Sequence, residues 1–460
     1  MASRHSRDLT RGSVFKNLVL FAVPILLSNM LQQLYHAADV VVVGNFSADT
    51  TVSLAAVGSS GSVTTLLLNM FFGLSLGSNV VCANLYGAKK HEDLQKAMGT
   101  ALIVAAIGGI FIDAVGFFLA GPILAAMGVP ESVLPHAVVY MKIIFLGQPG
   151  SLIYNFGAGI LRSYGDTKRP MMILSVSGVV NFVLNFVLVA FFHLDSAGVA
   201  IATIIAHYVS AAAVLFLISR PAGEQRLDLL HLHFDVSLFK KICRIGIPGG
   251  LNGMVFSISN VIIANAVFSL GDVVVAGDSA ASSVTNLVYQ VLAAFYSACV
   301  SFAGQNYGAK RFDRIDRLFW QSILLCGGCL LVFSVVINLF PNFFMRLFTN
   351  DPAVMEAGKS RLMVVGYSYI LYTVSEMAIG CLRGMGKSVF PTALNAVMIC
   401  VPRLLWIAFV FPLYPTLEMV YLCYAVSYVL SGAAQSFCYF YCMHREKRAL
   451  KAADTASAAV

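Results

Sequence analysis

Charge is scarce in this chain. Of its 460 residues only 11% are Asp, Glu, Lys or Arg, against 58% that are hydrophobic, and the mean hydropathy is +0.81. That poverty excludes an ordinary soluble domain, in which about a quarter of the residues are charged. Other features are missing as well. There is no Asp-rich cluster of the kind a membrane prenyl transferase would need to hold metal ions, which argues against a metal-dependent membrane enzyme. The first apolar run is too long for a signal-peptide h-region and no small-residue cleavage site follows it, so an uncleaved first span is expected. His231 and His233 form a short HxH with no further Cys or His nearby to complete a metal site. The ten cysteines lie almost entirely within apolar runs. Cys326 and Cys329, although spaced CxxC, read there as buried free thiols.

What the chain has instead is apolar length. A helix needs about 20 apolar residues to cross roughly 30 Å of hydrocarbon. Such windows recur twelve times, at 17–43, 54–80, 98–120, 134–160, 171–193, 198–219, 242–270, 279–303, 319–340, 362–382, 390–411 and 419–442. Backbone groups in lipid must be satisfied internally, and the runs are twice as long as barrel strands, so they predict helices. Assigned to alternate sides, 25 of the 30 Lys and Arg fall on one side, including Arg4, Lys89, Arg162, Arg226, Arg314 and Arg383. Both termini are therefore expected in the cytoplasm. The net charge of +8 reads as a topology signal and not as a nucleic-acid footprint.

The chain also repeats. "YGAKKHEDLQK" at 86–96 returns as "YGAKRFDRIDR" at 307–317, and "GILRSYGDTKRP" at 159–170 returns as "GCLRGMGKSVFP" at 380–391, both at an offset of 221 residues. "AVPILLSNM" at 22–30 aligns with "GIPGGLNGM" at 246–254 at an offset of 224. Each half holds six spans, an even number, so the repeats enter the membrane in the same direction. The expectation is an all-α integral membrane protein with two pseudo-symmetric six-helix lobes around a central cavity. The first lobe covers 1–219 and the second 242–442, with a cytoplasmic linker at 220–241 and a cytoplasmic tail at 443–460. Such an architecture suits alternating access around a site near the bilayer midplane.

The doubled YGAK and LRxxG segments, the proline in the first and seventh spans, and "QQLYHAADVVVVG" resemble the bacterial type of the multidrug and toxic compound extrusion (MATE) family over residues 14 to 442. The resemblance implies a cation-coupled antiporter of the cytoplasmic membrane that exports small organic, often cationic, compounds. It implies Na⁺ or H⁺ as coupling ion, no other cofactor and no obligate protein partner. A flippase for a lipid-linked saccharide or another amphipathic lipid is the alternative. It would call for a more cationic cavity, and Lys142 and Arg403 are the only candidates.

Candidate site residues begin with a stripe in the first span. Gln32, Tyr35, His36 and Asp39 fall at i, i+3, i+4 and i+7, one helical face, which must meet protein or water. By a rise of about 1.5 Å per residue, Asp39 lies roughly 6 Å from the outer end of its span, Asn185 roughly 12 Å and Thr203 roughly 8 Å. Asn181 is one turn from Asn185. By spacing and context Asp39, Asn181, Asn185 and Thr203 resemble the family's N-lobe cation or proton site. Family members with a proton-type site often carry Asp where this chain has Asn185, so Asp39 is left as the sole carboxylate there. Oxygen ligands from Asp, Asn and Thr suit Na⁺, whereas a lone buried carboxylate suits a proton, and both readings stand. His36 is either a packed neutral histidine or a proton-coupling group.

Asp113 and Lys142, at similar depth in the third and fourth spans, are expected to form a structural ion pair. In the second half Glu376 is either a second cation or substrate-charge site or a packing contact. Its repeat mate is the uncharged Asn155, and Arg403 is a further candidate, at a depth that differs from that of Glu376 by roughly 10 Å. Pro24, with its repeat copy Pro248, marks either a static kink or a hinge.

Overall fold

The computed structural model describes residues 7–47, 49–220 and 227–458. Arg4 and Arg226 of the charge count, and 221–226 of the linker, lie outside the described residues. Among the described residues there are fourteen α-helices: α1 Val14–Phe46, α2 Thr50–Gly87, α3 His91–Ala126, α4 Leu134–Leu146, α5 Gln148–Ser163, α6 Lys168–Phe186, α7 Asp195–Ser219, α8 Val236–Phe268, α9 Asp272–Gly308, α10 Phe312–Leu339, α11 Pro341–Arg346, α12 Pro352–Gly384, α13 Val389–Leu405 and α14 Leu417–Ala458. There is no strand among the described residues. Among the described residues, eleven helices or helix-plus-turn segments are long and apolar enough to span a membrane, and the pair α4 and α5 makes a twelfth if it counts as one span.

The span expected at 134–160 is a bent pair, in which the two helices meet at an angle of 42°. Gly147 lies between them and Pro149 is the second residue of α5. A proline there has no N–H to give to the carbonyl four residues back, and its ring crowds that carbonyl. Pro24 and Pro248, by contrast, lie inside helices that continue through them.

The doubled loop motifs turn out to be helix stops. Lys89 and Lys310 adopt positive φ of 58° and 56°, and Gly165 and Gly386 positive φ of 83° and 78°. At each stop two backbone bonds close the turn, as with Asp166 N to Leu161 O at 3.0 Å and Gly165 N to Arg162 O at 2.9 Å, and with Arg311 N to Asn306 O at 2.7 Å and Lys310 N to Tyr307 O at 3.0 Å. This is the Schellman arrangement, which satisfies the last carbonyls of a helix and places one residue in the left-handed region. The two halves also share a π-helical turn after α6 and α13, at Val187–Phe191 and Trp406–Val410.

Contacts divide the chain into two compact units. One holds Leu27–Gly250 with the residues just before Leu9, and the other Leu9–Leu26 with Leu251–Val460. The breaks inside α1 and α8, after residues 26 and 250, are themselves 224 apart, the same offset as the repeat around the prolines.

In the first unit α3, α4, α5 and α7 pack around α2 and each other. Gly73 and Gly77 of α2 meet Gly246 and Gly250 of α8, and a Cβ at any of the four would run into the facing backbone. Two small-xxx-small faces thus let the backbones touch. Asp113 and Lys142 do not pair, contrary to expectation; the Lys142 ammonium lies 4.9 Å from the centre of the Phe117 ring instead. A cation over a ring face gains electrostatic attraction without burying a carboxylate.

In the second unit α12 packs against α9, α10 and α14. Arg314, counted above as a topology charge, is 8% exposed and works as a clasp. Its guanidinium donates to the carbonyls of Gly12 at 2.8 Å and Leu9 at 2.9 Å and to Asn306 Oδ1 at 3.0 Å, fixing the segment before α1. Large apolar side chains such as Phe118, Leu324 and Phe437 are more than two-thirds exposed, the pattern of surfaces turned to lipid and not to water. All ten cysteines are free thiols, Cys326 buried and Cys329 partly so.

Candidate functional site

Three helices of the first unit bring four of the expected residues into one hydrogen-bonded chain. Asp39, 8% exposed on α1, accepts from Asn185 Nδ2 at 2.5 Å. The same nitrogen donates to Asn181 Oδ1 at 3.2 Å, one turn back on α6. Asn181 Nδ2 then donates to Thr203 Oγ1 on α7 at 3.2 Å. Asn181 and Asn185 are buried.

The chain leaves one atom over. Asn185 Oδ1 is buried and has no hydrogen-bond partner. A buried acceptor without a donor costs about 1–3 kcal/mol, so such an atom calls for an occupant. Next to it stands the Asp39 carboxylate, the single ionisable group in the chain of bonds. An anionic oxygen, an orphaned amide oxygen and a hydroxyl fit a small hard cation, and none of them suits a soft metal. No group of three or more His, Cys, Asp or Glu among the described residues could hold a transition metal.

The surroundings explain why α1 comes so close to α6. Tyr35 donates its hydroxyl to the Leu174 carbonyl at 2.5 Å, and its ring lies over Gly178, where any Cβ would overlap it. Tyr35 is thus an alignment contact, and it makes no bond to the Asp39 chain. Gln32 and His36 are exposed and also stand outside the chain of bonds. The polar stripe therefore does not act as one unit: Asp39 is buried in the chain of bonds, and Gln32 and His36 share its helical face but stay exposed. Beyond the polar chain Val42, Val43, Val189 and Val199 form a buried apolar plug. His207 was not singled out from the sequence, yet it follows Thr203 by four residues on α7 and packs at the α4–α5 bend, about 3.3 Å from where a Cβ of Gly147 would sit. Its i+4 spacing from Thr203 was the available signal.

The second unit keeps its candidates apart. Glu376, 8% exposed on α12, accepts from the Tyr372 hydroxyl at 2.5 Å. Its repeat mate Asn155 bonds locally to the Ser151 carbonyl at 2.8 Å. Arg403, 1% exposed on α13, does not meet Glu376. Its Nε donates to Ser427 Oγ at 3.0 Å and its Nη1 reaches Ser259 Oγ at 3.5 Å. Its guanidinium carbon lies 4.3 Å from the ring centre of Tyr424, 5.2 Å from that of Tyr428 and 5.8 Å from that of Phe256. Tyr372 and Tyr428 stack at 4.2 Å, so rings fill the space between the buried carboxylate and the buried guanidinium.

Two further buried polar arrangements were not expected, although Arg383 is among the charges counted for topology. Arg383 is buried on α12, bonded to the Tyr296 hydroxyl and to Thr392 Oγ1 at 2.9 Å. Asn395, Ser375 and Ser431 form a closed polar knot, with Ser431 Oγ to Asn395 Oδ1 at 2.7 Å. Uncharged Ser and Asn in an apolar run give little signal until the helices are assembled.

A protein-family model described as MatE matches residues 24–187 and 248–406 of the chain. Among curated relatives, a Bacillus subtilis (strain 168) protein named "Probable multidrug resistance protein YoeA" is 28% identical over 425 residues, covering 89% of this chain and 90% of that one. A Thermotoga maritima protein named "Probable multidrug resistance protein NorM" is 24% identical over 394 residues, covering 85% and 84%. A solved structure described as the outward-facing conformation of a multidrug resistance MATE family transporter of the MOP superfamily shares the fold with a TM-score of 0.89 at 21% identity, over 97% of this chain and 100% of that one. A MOP superfamily transporter from Pyrococcus furiosus does so with a TM-score of 0.88, also at 21% identity, over 96% and 98%.

Proposed function

The chain belongs to the MatE family of multi-pass membrane proteins, and on that premise we propose that it is a multidrug exporter whose first unit takes the coupling cation at Asp39. The compounds carried out are small organic molecules, many of them cationic, and the driving reaction is the inward passage of Na⁺ or H⁺. Alternating exposure of the cation and drug sites, a cytoplasmic membrane location and cytoplasmic termini belong to the same proposal. The positive side of the loops supports the orientation, and the multidrug resistance names of the relatives support the cargo.

The observation that carries the reading is the hydrogen-bonded chain from Asp39 through Asn185 and Asn181 to Thr203, with the Asn185 amide oxygen left without a partner. A carboxylate in a membrane helix costs about 3 kcal/mol on insertion scales and is kept where it works. The orphaned oxygen favours Na⁺ over H⁺, since a proton satisfies one carboxylate oxygen and leaves the amide as it was, whereas a metal cation draws several oxygens.

Ethidium efflux from proteoliposomes tests this. An imposed sodium gradient at equal pH should drive efflux by the unmodified protein, and Asp39→Asn, which keeps the shape and removes the charge, should abolish it. Efflux driven equally by a pH gradient without sodium would replace Na⁺ by H⁺. Wild-type efflux from folded Asp39→Asn would remove the site altogether.

A further inference from the structure

Arg403 carries a permanent charge, because a guanidinium does not lose its proton in a protein. It is 1% exposed on a membrane-spanning helix. Burial of this kind is expensive without a counter-charge, and among the described residues no carboxylate forms an ion pair with it or accepts a hydrogen bond from it. Its neighbours are the hydroxyls of Ser427, Ser259 and Tyr428 and the rings of Tyr424, Tyr428 and Phe256, of which Tyr424 is nearest with its centre at 4.3 Å. Nη2 is buried without any hydrogen-bond partner. Hydroxyl oxygens and ring quadrupoles are the means by which proteins hold organic cations.

The internal repeat says where this cage lies. In the first unit the polar chain joins α1, α6 and α7; the cage joins their repeat mates α8, α13 and α14. At the offset of 221, Tyr424 stands where Thr203 does, while Arg403 stands at the mate of Phe182, which is 52% exposed in the first unit, so the two sites share three helices and the Thr203–Tyr424 position but not the residue that α6 and α13 supply. We propose that Arg403 is a tethered cation that permanently fills the second unit's equivalent of the cation site, so that only the first unit exchanges a cation with solution.

The comparison of the two sites rests on reading the Asp39 cluster as a cation site; the cage itself stands on its own contacts. One unit thus presents oxygen acceptors with an acceptor to spare, and the other presents a cage whose cation is covalently attached. The chemical class the cage accepts is a planar or compact organic cation, a guanidinium above all.

Removing the tether tests the assignment. In purified full-length protein, Arg403→Ala should lower the melting temperature, and ethylguanidinium should restore part of the loss while ethylurea, its neutral isostere, should not. The wild-type melting temperature should be indifferent to the choice between them. If ethylurea restores as much as ethylguanidinium, or neither restores anything, the tethered-cation role is overturned. Should Arg403→Ala not fold, the same question is put with Arg403 in place. Tyr424→Phe, which keeps a ring face, should melt near the wild type, and Tyr424→Leu should melt several degrees lower; equal melting of the two overturns the role. A wild-type protein that melts higher in chloride than in gluconate would show that the guanidinium takes an anion instead, and would overturn it too. Sodium binding at Asp39 is read in a separate measurement, so the two claims fail independently.

Discussion

At the scale of single residues, the candidate site was legible where an ionisable group interrupts an apolar run and where polar residues share a helical face. Asp39, Asn181, Asn185 and Thr203 were selected that way, and the structure places them within one chain of hydrogen bonds. The same logic failed for Gln32 and His36, since residues that share a helical face still sit at different depths: Gln32 lies about 10 Å along the axis from Asp39 and His36 about one turn away, where the surroundings differ. It could not have found the cage, because rings 21 to 25 residues away on α14 become partners of Arg403 only through packing. Glu376 carries the residue-scale prediction. Its oxygen accepts from Tyr372, and glutamine would still accept there. Glu376→Gln should therefore melt close to the wild type while losing the charge that attracts cationic compounds through a poorly screened interior. Resistance to a cationic compound should fall several-fold, with resistance to a neutral one nearly unchanged. An equal loss for both compounds, or a lowered melting temperature, would make Glu376 a packing residue.

At the scale of elements, helix existence was plain and helix endings were not. The apolar windows overlap the helices, but α2 and α9 run into the YGAK motifs and stop at Lys89 and Lys310, each left-handed. Neither the repeat nor the hydropathy says that a lysine will adopt a conformation that glycine reaches more cheaply. A non-glycine residue there costs about 1–2 kcal/mol, and Gly165 and Gly386 show the cheaper solution at the matching stops. Lys89→Gly and Lys310→Gly should each stabilise the protein by about 1 kcal/mol, read as a melting temperature raised by roughly 1 °C each and about twice that in the double variant. A lower melting temperature in both would mean that the lysine side chains carry contacts worth more than the backbone relief. The bend between α4 and α5 was hidden for a different reason. Hydropathy windows register apolar length and are blind to a proline that redirects it.

At the scale of the whole molecule, the doubled motifs reported the internal repeat, and the breaks between compact units respect it at residues 26 and 250. The loop charges carry the orientation argument, although Arg314 and Arg383, both counted in it, are buried at work inside the second unit. Removing two of 25 does not change the balance, so a fluorescent protein fused after Val460 should fluoresce and an alkaline phosphatase fused there should be inactive. The reverse pattern would invert the topology. The central claim is narrower: the Asp39 chain of oxygens takes the coupling cation, and it is the one place in the molecule that does. The most direct measurement is equilibrium binding of radioactive sodium to the purified full-length protein. The account predicts one sodium per chain, lost in Asp39→Asn and weakened about tenfold or more in Asn185→Ala by removal of the orphaned oxygen. Two sites per chain, or undiminished binding in Asp39→Asn, would contradict it.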